Sequence, residues 1–412
     1  MVSVKFVYKF YNVYKMKKLI QDMSLSAISA GFIAVLVGFA SAVAIVFQAA
    51  QAAGASHEMI VSWVWALGIG MGVGCLGLSW YYRRPIIIVW STPGAALLAT
   101  SLAGVSIEQA IGIFLFVAVL TLITGISGWF DTLTKRIPLP LASAMLAGIL
   151  LQFGLSIFES FAIAPMLVGV MLLSYFISKR LIPRFCILLV LITGTTYAWL
   201  TGMFDLTAIE ITTATPVWVS PTFDLSLLIG VGLPLFIVTM TSQNLPGMAV
   251  LKSSGYAQQP ISPIITTSGA LNLILAPLGG FSFNLAAITA AICTSDEAHS
   301  DPAKRYIAGV SAGVFNIIAG LGATVVVSLF AAFPAALIAT LAGLALLGTI
   351  GASLFSSVHD PQYRDAAIVT FLVTASGVSL FDVSSAFWGL IIGMLTLLFS
   401  AKRQPMPNAN QQ

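Results

Sequence analysis

Long apolar runs follow one another along almost the whole chain, and this feature constrains the fold most. A helix needs about 20 consecutive apolar residues to cross a bilayer, and short polar segments separate fourteen runs of that kind. Charged residues make up only 8% of the chain, too few to cover a globule in water. The sequence therefore predicts an all-α membrane protein. Its fourteen spans are expected at residues 26–51, 59–80, 86–104, 107–129, 138–156, 160–178, 184–203, 224–246, 262–280, 281–297, 304–331, 334–355, 362–379 and 383–401.

The basic residues test this number of spans, because short loops rich in Lys and Arg stay in the cytoplasm. With the N-terminus inside, all 18 Lys and Arg residues fall on segments predicted to be internal. Acidic residues such as Glu58, Glu159 and Asp224 fall on segments predicted to be external. The charge pattern thus predicts a multi-pass protein with both termini in the cytoplasm.

The predicted loops divide the chain into two sets of seven spans, residues 26–203 and 224–401, joined by an extracytoplasmic linker at 204–223. Residues 1–25 are expected to form a cytoplasmic leader and residues 402–412 a cytoplasmic tail. Because seven is odd, the second set enters the membrane in the opposite sense from the first. Such a 7+7 inverted repeat is found in many secondary transporters.

The third span is interrupted. Residues 86–90 are mostly β-branched, which favours an extended segment, and Ser91 or Thr92 followed by Pro93 is typical of a helix start. We expect a short strand that reaches the middle of the membrane, followed by a half-helix from about Thr92. The alternative is that Pro93 only kinks an ordinary helix.

The tenth span carries a matching irregularity in the second half of the chain. Residues 281–283 are expected to be extended, with Asn284 as the cap of a half-helix from Leu285 to about Ser295. Non-helical backbone persists at that depth only where protein or a water-filled cavity satisfies it. We therefore expect two half-helix N-termini to face each other and to offer unpaired N–H groups to an anion.

Polar side chains inside spans are candidates for function, because they are costly in a membrane. Gln243 and Asn244 in the eighth span and Gln48 in the first are such residues; the alternative is hydrogen bonding between helices. Phe39 and Phe283 either pack in the core or stack on a planar substrate.

Several functions are excluded or left without support. No P-loop, Gly-x-Ser-x-Gly or HExxH motif is present, so the sequence predicts neither an enzyme nor a cofactor or metal site. The net charge of +4 is small and scattered, so no nucleic-acid binding is expected.

Three segments resemble one transporter family. They are Trp-Ser-Thr-Pro-Gly-Ala-Ala-Leu-Leu at 90–98, Thr-Ser-Gln-Asn-Leu-Pro-Gly-Met-Ala-Val-Leu at 241–251 and Ile-Cys-Thr-Ser-Asp-Glu-Ala-His at 292–299. In this order they are similar to the benzoate:proton symporter family (BenE type), within the superfamily that includes the uracil and sulfate permeases. The resemblance implies a bacterial inner-membrane importer of benzoate, or of a similar aromatic carboxylate, together with protons. It also implies a core domain of spans 1–4 and 8–11 and a gate domain of spans 5–7 and 12–14, and it allows a homodimer.

One departure from related transporters bears on mechanism. Relatives that carry nucleobases have carboxylates at positions that match Gln243 and Asn284 here. Neutral amides suit an anionic substrate, but they leave the proton carrier open. The proton travels either on the substrate or on an acid such as Glu108 or Asp296.

The expected substrate-binding residues are Phe39, Gln48, Thr92, Gly94, Ala95, Gln243, Asn244, Phe283, Asn284 and Leu285. The rival functions are an anion channel and a transporter of another small solute, such as a nucleobase or an inorganic anion.

Overall fold

A computed structural model of the chain describes residues 21–130, 138–204, 212–256, 259–378, 380 and 384–400. Most of the predicted leader, part of the linker and the whole predicted tail lie outside these residues. The described helices are α1 (Leu25–Ala52), α2 (His57–Tyr82), α3 (Thr92–Ser101), α4 (Ile107–Ser127), α5 (Leu139–Ile163), α6 (Pro165–Leu181), α7 (Cys186–Leu200), α8 (Leu225–Lys252), α9 (Ser262–Leu275), α10 (Ile288–Thr294), α11 (Tyr306–Leu321), α12 (Ala323–Ala331), α13 (Ala335–Val358), α14 (Arg364–Ala375) and α15 (Ser385–Ser400). Two strands, β1 (Ile88–Trp90) and β2 (Phe283–Leu285), interrupt the helices.

Serine caps explain where four of the helices begin. Ser24, Ser56, Ser91 and Ser106 each accept a hydrogen bond from the backbone N–H three residues further on. Such a cap satisfies one of the N–H groups that have no partner inside the helix. These short local signals fix the starts of α1 to α4.

The helices pack as two groups. In the first group, which we call the strand bundle, α2 packs against α11, α4 against α9, and α1 against α3 and α11, with β1 and β2 among them. The strand bundle also includes α8, which packs against α3 and α4, and α10, which packs against α1. In the second group, the helix bundle, α5 packs against α13 and α14, α6 against α7, and α14 against α15. Contacts of α1 with α7 and α13, and of α3 with α5, join the two bundles.

Glycines allow close helix contacts in the strand bundle. A Cβ atom added to Gly68 of α2 would lie 2.5 Å from the Cα atom of Gly320 in α11. A Cβ atom added to Gly313 of α11 would lie 2.6 Å from the backbone nitrogen of Leu76. Small residues at helix crossings let backbones approach in membranes, where helix association depends on close packing.

The strands β1 and β2 pair in antiparallel fashion at the centre of the strand bundle. Ile88 pairs with Leu285, Val89 with Asn284 and Trp90 with Phe283. Two further bonds extend the ladder, from the Ala286 N–H to the Ile87 carbonyl oxygen at 2.9 Å and from the Ser91 N–H to the Ser282 carbonyl oxygen at 3.0 Å. Segments far apart in sequence thus satisfy each other's backbone groups.

The second half-helix begins later than the sequence suggests. Asn284 is not its cap but the middle residue of β2, and α10 begins at Ile288 and ends at Thr294. The chain stays extended because the Leu285 N–H bonds to Asn244 Oδ1 of α8 and the Ala286 N–H bonds to the Ile87 carbonyl oxygen beside β1. The first half-helix begins at Thr92, with Ser91 as its cap, as the sequence predicts.

Helix length alone does not fix the number of spans. Of the described helices, five are long and apolar enough to cross a membrane, or up to seven if each of two bent pairs forms one span. One bent pair is α11 with α12, which meet at 63°. The other predicted spans contain helices of 10 to 17 residues, or a strand followed by a helix. The number fourteen stays a prediction.

The described part of the linker lies on the strand bundle. The Val217 N–H donates to Ser62 Oγ at 2.9 Å, the Val219 N–H to the Pro277 carbonyl oxygen at 2.9 Å, and the Thr222 N–H to the Glu108 carbonyl oxygen at 3.0 Å. The linker therefore joins the two halves of the chain by packing across one of the two bundles.

Candidate functional site

A cavity of about 410 Å³ lies where the two bundles meet. The strand bundle contributes residues of α1, α2, β1, α8, α10 and α11, together with the first residues of α3. The helix bundle contributes residues of α7 and α13. The volume falls within the range of about 300–1,000 Å³ that is usual for small-molecule sites. The cavity is therefore the candidate binding site.

One side of the cavity is apolar and aromatic. Phe39 of α1 and Trp90 of β1 line it, with ring centroids 4.9 Å apart and ring planes at 76°. The Trp90 backbone N–H donates to Met71 Sδ at 3.3 Å, which ties the strand to α2. Two aromatic rings in an edge-to-face pair form a firm surface for a flat apolar group.

The lining also includes neutral polar side chains among further apolar ones. The polar ones are Thr92, Ser242, Gln243, Thr289, Asn316 and Thr349. The Asn316 amide donates to the Ala312 carbonyl oxygen at 2.9 Å, whereas the side chains of Thr92, Ser242 and Gln243 bond to no other residue of the described ranges. The lining residues among these ranges include no Asp, Glu, Lys, Arg or His. The cavity can therefore bind an anion through neutral donors.

The start of α3 offers fewer free donors than expected. Ser91 Oγ accepts from the Gly94 N–H at 3.0 Å, and the Ser91 carbonyl oxygen accepts from the Ala95 N–H at 2.7 Å. Pro93 has no N–H group. At this helix start, the Thr92 N–H is the one left without a partner among the described residues.

At the start of α10, more backbone N–H groups lack a hydrogen-bond partner among the described residues than at the start of α3. No side chain caps it, and the N–H groups of Ile288, Thr289 and Ala290 bond to none of the described residues. Ile288 and Thr289 line the cavity. The free backbone donors therefore come mainly from the second half of the chain.

The structure brings three of the ten predicted binding residues to the cavity, Phe39, Thr92 and Gln243. Gln48 is half-buried near the end of α1 and does not line it. The other six lie buried behind the wall: Gly94, Ala95, Asn244, Phe283, Asn284 and Leu285.

Asparagine side chains support β2 from behind the wall. Asn244 Oδ1 accepts from the Leu285 N–H at 3.0 Å, and Asn272 Oδ1 accepts from the Phe283 N–H at 2.8 Å. The Asn284 amide donates to the Ser282 carbonyl oxygen at 2.7 Å. These contacts place Asn244 and Asn284 in the support of the strand rather than in the cavity wall.

Phe283 supports the strand by packing. Its ring is fully buried against α2, where a Cβ atom added to Gly70 would lie 2.1 Å from the ring. The ring therefore does not reach a bound solute in this conformation.

The two candidate proton carriers lie away from the cavity. Glu108 is half-buried at the start of α4. Asp296 follows α10, its side chain is 92% exposed, and it forms an ion pair with Arg305. Neither acid lines the cavity.

The aromatic and polar lining residues that the sequence-based set lacks are Trp90, Ser242, Thr289, Asn316 and Thr349. Asn316 carried a usable signal, because it is an amide inside an apolar run. Trp90 and Ser242 lie within the family-like segments. The two threonines carry no comparable signal, because Thr commonly bonds to its own helix.

Two solved structures share this fold. SLC26A9 matches with a TM-score of 0.64 over 96% of this chain and 69% of that chain, at 13% sequence identity. The transmembrane domain of the cyanobacterial bicarbonate transporter BicA matches with a TM-score of 0.59 over 92% of this chain and 98% of that chain, at 14% identity. These two likenesses show the fold of the chain.

The chain belongs to the BenE family of benzoate membrane transport proteins, which matches residues 21–399. The inner membrane protein YdcO of Escherichia coli is 47% identical over 364 residues, 88% of this chain and 93% of that protein. The benzoate membrane transport protein of Acinetobacter baylyi is 42% identical over 387 residues, 94% of this chain and 98% of that protein. The resemblance read from the three segments is confirmed. The family consists of transporters and not of enzymes.

The adjacent amide residues Gln243 and Asn244 of α8 are expected to differ in how much they stabilise the fold. We expect Asn244→Ala to lower the free energy of unfolding by about 1–3 kcal/mol, because the buried Leu285 N–H loses its acceptor. Gln243→Ala is expected to change it by less than about 0.5 kcal/mol, because that side chain lies at the cavity. Thermal unfolding of the purified variants in detergent measures both. Equal losses of stability in the two variants would contradict this division.

Proposed function

We propose that the chain is a secondary active transporter that imports benzoate, or a similar aromatic carboxylate, together with protons. Family membership and the 42% identity to a benzoate membrane transport protein support this substrate class. The observation that carries the proposal is the cavity itself, whose lining holds both an aromatic pair and unpaired neutral donors.

In this proposal the two ends of the substrate bind different walls. The ring packs against Phe39 and Trp90, and the carboxylate accepts hydrogen bonds from Thr92, Gln243 and the free N–H groups at the start of α10. Hydrogen bonds to a charged acceptor are roughly twice as strong as neutral ones. A wall without carboxylates also spares the anion repulsion at close range.

Transport requires the cavity to face each side of the membrane in turn. We propose that the strand bundle is the moving core domain and the helix bundle the gate domain, because the cavity is lined by both. In the same proposal the chain forms fourteen spans in a 7+7 inverted repeat in a bacterial inner membrane, with both termini in the cytoplasm. The strand-then-helix order of residues 88–101 and 283–294 supports two related halves.

Uptake into proteoliposomes tests the function. At zero membrane potential, set with valinomycin and equal potassium, an inwardly directed proton gradient is expected to raise the initial rate of labelled benzoate uptake. Protein-free liposomes are the control, because benzoic acid itself crosses membranes. If the protein is an anion channel, the rate of benzoate uptake would respond to the membrane potential and not to the proton gradient. If it is a nucleobase transporter, benzoate would not compete with its uptake of nucleobases. Either outcome contradicts the proposal.

The same assay examines the coupling proton. Glu108→Gln or Asp296→Asn removes one candidate carrier each. A variant that loses the dependence of uptake on the proton gradient identifies a side chain as the carrier. Retained dependence in both variants excludes Glu108 and Asp296 as the carrier and favours transfer of the proton on the substrate.

A new negative charge at the cavity wall is expected to weaken substrate binding. Gln243→Glu should raise the KM for benzoate at neutral pH by at least about tenfold, since a charge pair near 4 Å repels by about 4 kcal/mol at an effective dielectric of 20. The ratio of variant to wild-type KM should fall as the pH approaches the ordinary Glu value of about 4.3, where the new carboxyl group is neutral. Gln152→Glu, an exposed position of α5 that does not line this cavity, is the matched control. A KM within twofold of wild type for Gln243→Glu would remove Gln243 from the site.

A further inference from the structure

Arg305 connects α11 to the end of the half-helix α10. It immediately precedes α11, and its side chain is only 7% exposed. Its Nη1 donates to the carbonyl oxygen of Thr294, the last residue of α10, at 2.7 Å, and its Nε donates to the His299 carbonyl oxygen at 2.8 Å. Its Nη2 pairs with the carboxylate of Asp296. Three guanidinium nitrogens are thus used on the six residues 294–299.

The half-helix needs such a contact because it is short. α10 has seven residues, and an isolated helix of fewer than about 12 residues is marginal at best. Its last carbonyl groups have no partners inside the helix. The buried guanidinium group satisfies one of these acceptors, the Thr294 carbonyl oxygen, and places a positive charge at the C-terminal end of the helix, where it is favourable.

The opposite end of α10 forms part of the cavity. Ile288, Thr289 and Ile292 line it, and β2 holds the chain just before them. The position of this wall therefore depends on β2 at one end and on Arg305 at the other. A second contact at the Arg305 end, from Ser254 Oγ to Thr294 Oγ1 at 3.0 Å, is a single neutral bond.

We propose that Arg305 is a positioning residue for substrate binding, which holds α10 in place through its C-terminal end and thereby shapes the cavity more than one helical turn away. Asp296 contributes little to this role, because its side chain is 92% exposed and exposed ion pairs are weak. This role rests on the two hydrogen bonds from Arg305 to the backbone carbonyl oxygens of Thr294 and His299. The consequence for affinity rests on the proposed benzoate transport, whereas the consequence for α10 does not.

A native thiol reports on α10 without any substrate. Cys293 lies within α10 and is fully buried, and Cys75 and Cys186 are buried in α2 and α7. We expect Arg305→Gln to raise the labelling rate of Cys293 by a maleimide by at least about tenfold, because α10 opens more often. Mass spectrometry of the peptides follows each cysteine separately, and Cys75 and Cys186 should stay within twofold. Lys304→Gln, an adjacent loss of charge without a side-chain hydrogen bond among the described residues, is the matched control.

The labelling result decides the proposal. An unchanged Cys293 rate overturns it, and so does an equal increase at all three cysteines, which would mean that Arg305 only stabilises the whole fold. Asp296→Asn should leave the Cys293 rate within twofold of wild type. An increase there as large as in Arg305→Gln would move the role to the ion pair and overturn the assignment to the backbone contacts.

Uptake kinetics give the second readout. Arg305→Gln should raise the KM for benzoate by at least about tenfold and change the maximal rate per folded transporter by less than threefold, and Arg305→Lys should recover part of the affinity. An unchanged KM with a reduced amount of folded protein contradicts the positioning role. If the wild type transports no benzoate, the proposed function fails, while the Cys293 labelling still decides whether Arg305 holds α10.

Discussion

The antiparallel pairing of β1 with β2 is the contact on which the rest of the structure depends. A membrane offers no water to an unpaired backbone group, so an extended segment between helices persists only if protein satisfies it. Here each strand satisfies the other, and side chains satisfy what remains: Asn244 and Asn272 accept from β2, and Cys75 Sγ accepts from the Ile88 N–H at 3.1 Å. Because one strand comes from each half of the chain, this pairing also joins the halves and fixes where the two half-helices begin.

The cavity follows from that pairing. Each strand ends at the start of a short helix, and those starts lie at the wall together with Phe39, Gln243 and Asn316 of neighbouring helices. The helix bundle closes the other side with α7 and α13. A site built at the contact between two bundles changes its shape when one bundle moves against the other, which is what a transporter requires. At the far end of α10, the buried Arg305 donates hydrogen bonds to the carbonyl oxygens of Thr294 and His299.

Sequence reasoning predicted the features that depend on local chemistry. The extended residues before Ser91, the serine cap and the helix start at Thr92 agree with the structure, because a cap and Pro93 act over a few residues. The predicted start of α10 was wrong. Leu285 and Ala286 stay extended because their N–H groups bond to Asn244 Oδ1 and to the Ile87 carbonyl oxygen, both more than 40 residues away in the sequence. Local pattern cannot reveal those partners.

The candidate site was predicted only in part for the same reason. Hydropathy marks Gln243 and Asn244 as costly in a membrane, but it does not say which faces a cavity and which faces a strand. The structure separates them: Gln243 lines the cavity and Asn244 binds the Leu285 N–H. Trp90 and Asn316 belong to the wall because α1, β1 and α11 meet there. Tertiary contacts between elements that lie far apart in the chain cannot be predicted from local sequence patterns.

A crystal structure of the protein with para-iodobenzoate would locate the bound ring, because the anomalous signal of iodine marks its position. We expect an iodine peak in the cavity against Phe39 and Trp90, with the carboxylate toward Thr92, Gln243 and the start of α10, and with β1 still paired to β2. An iodine peak outside this cavity, or a bound state in which the two strands are separated, would contradict this expectation.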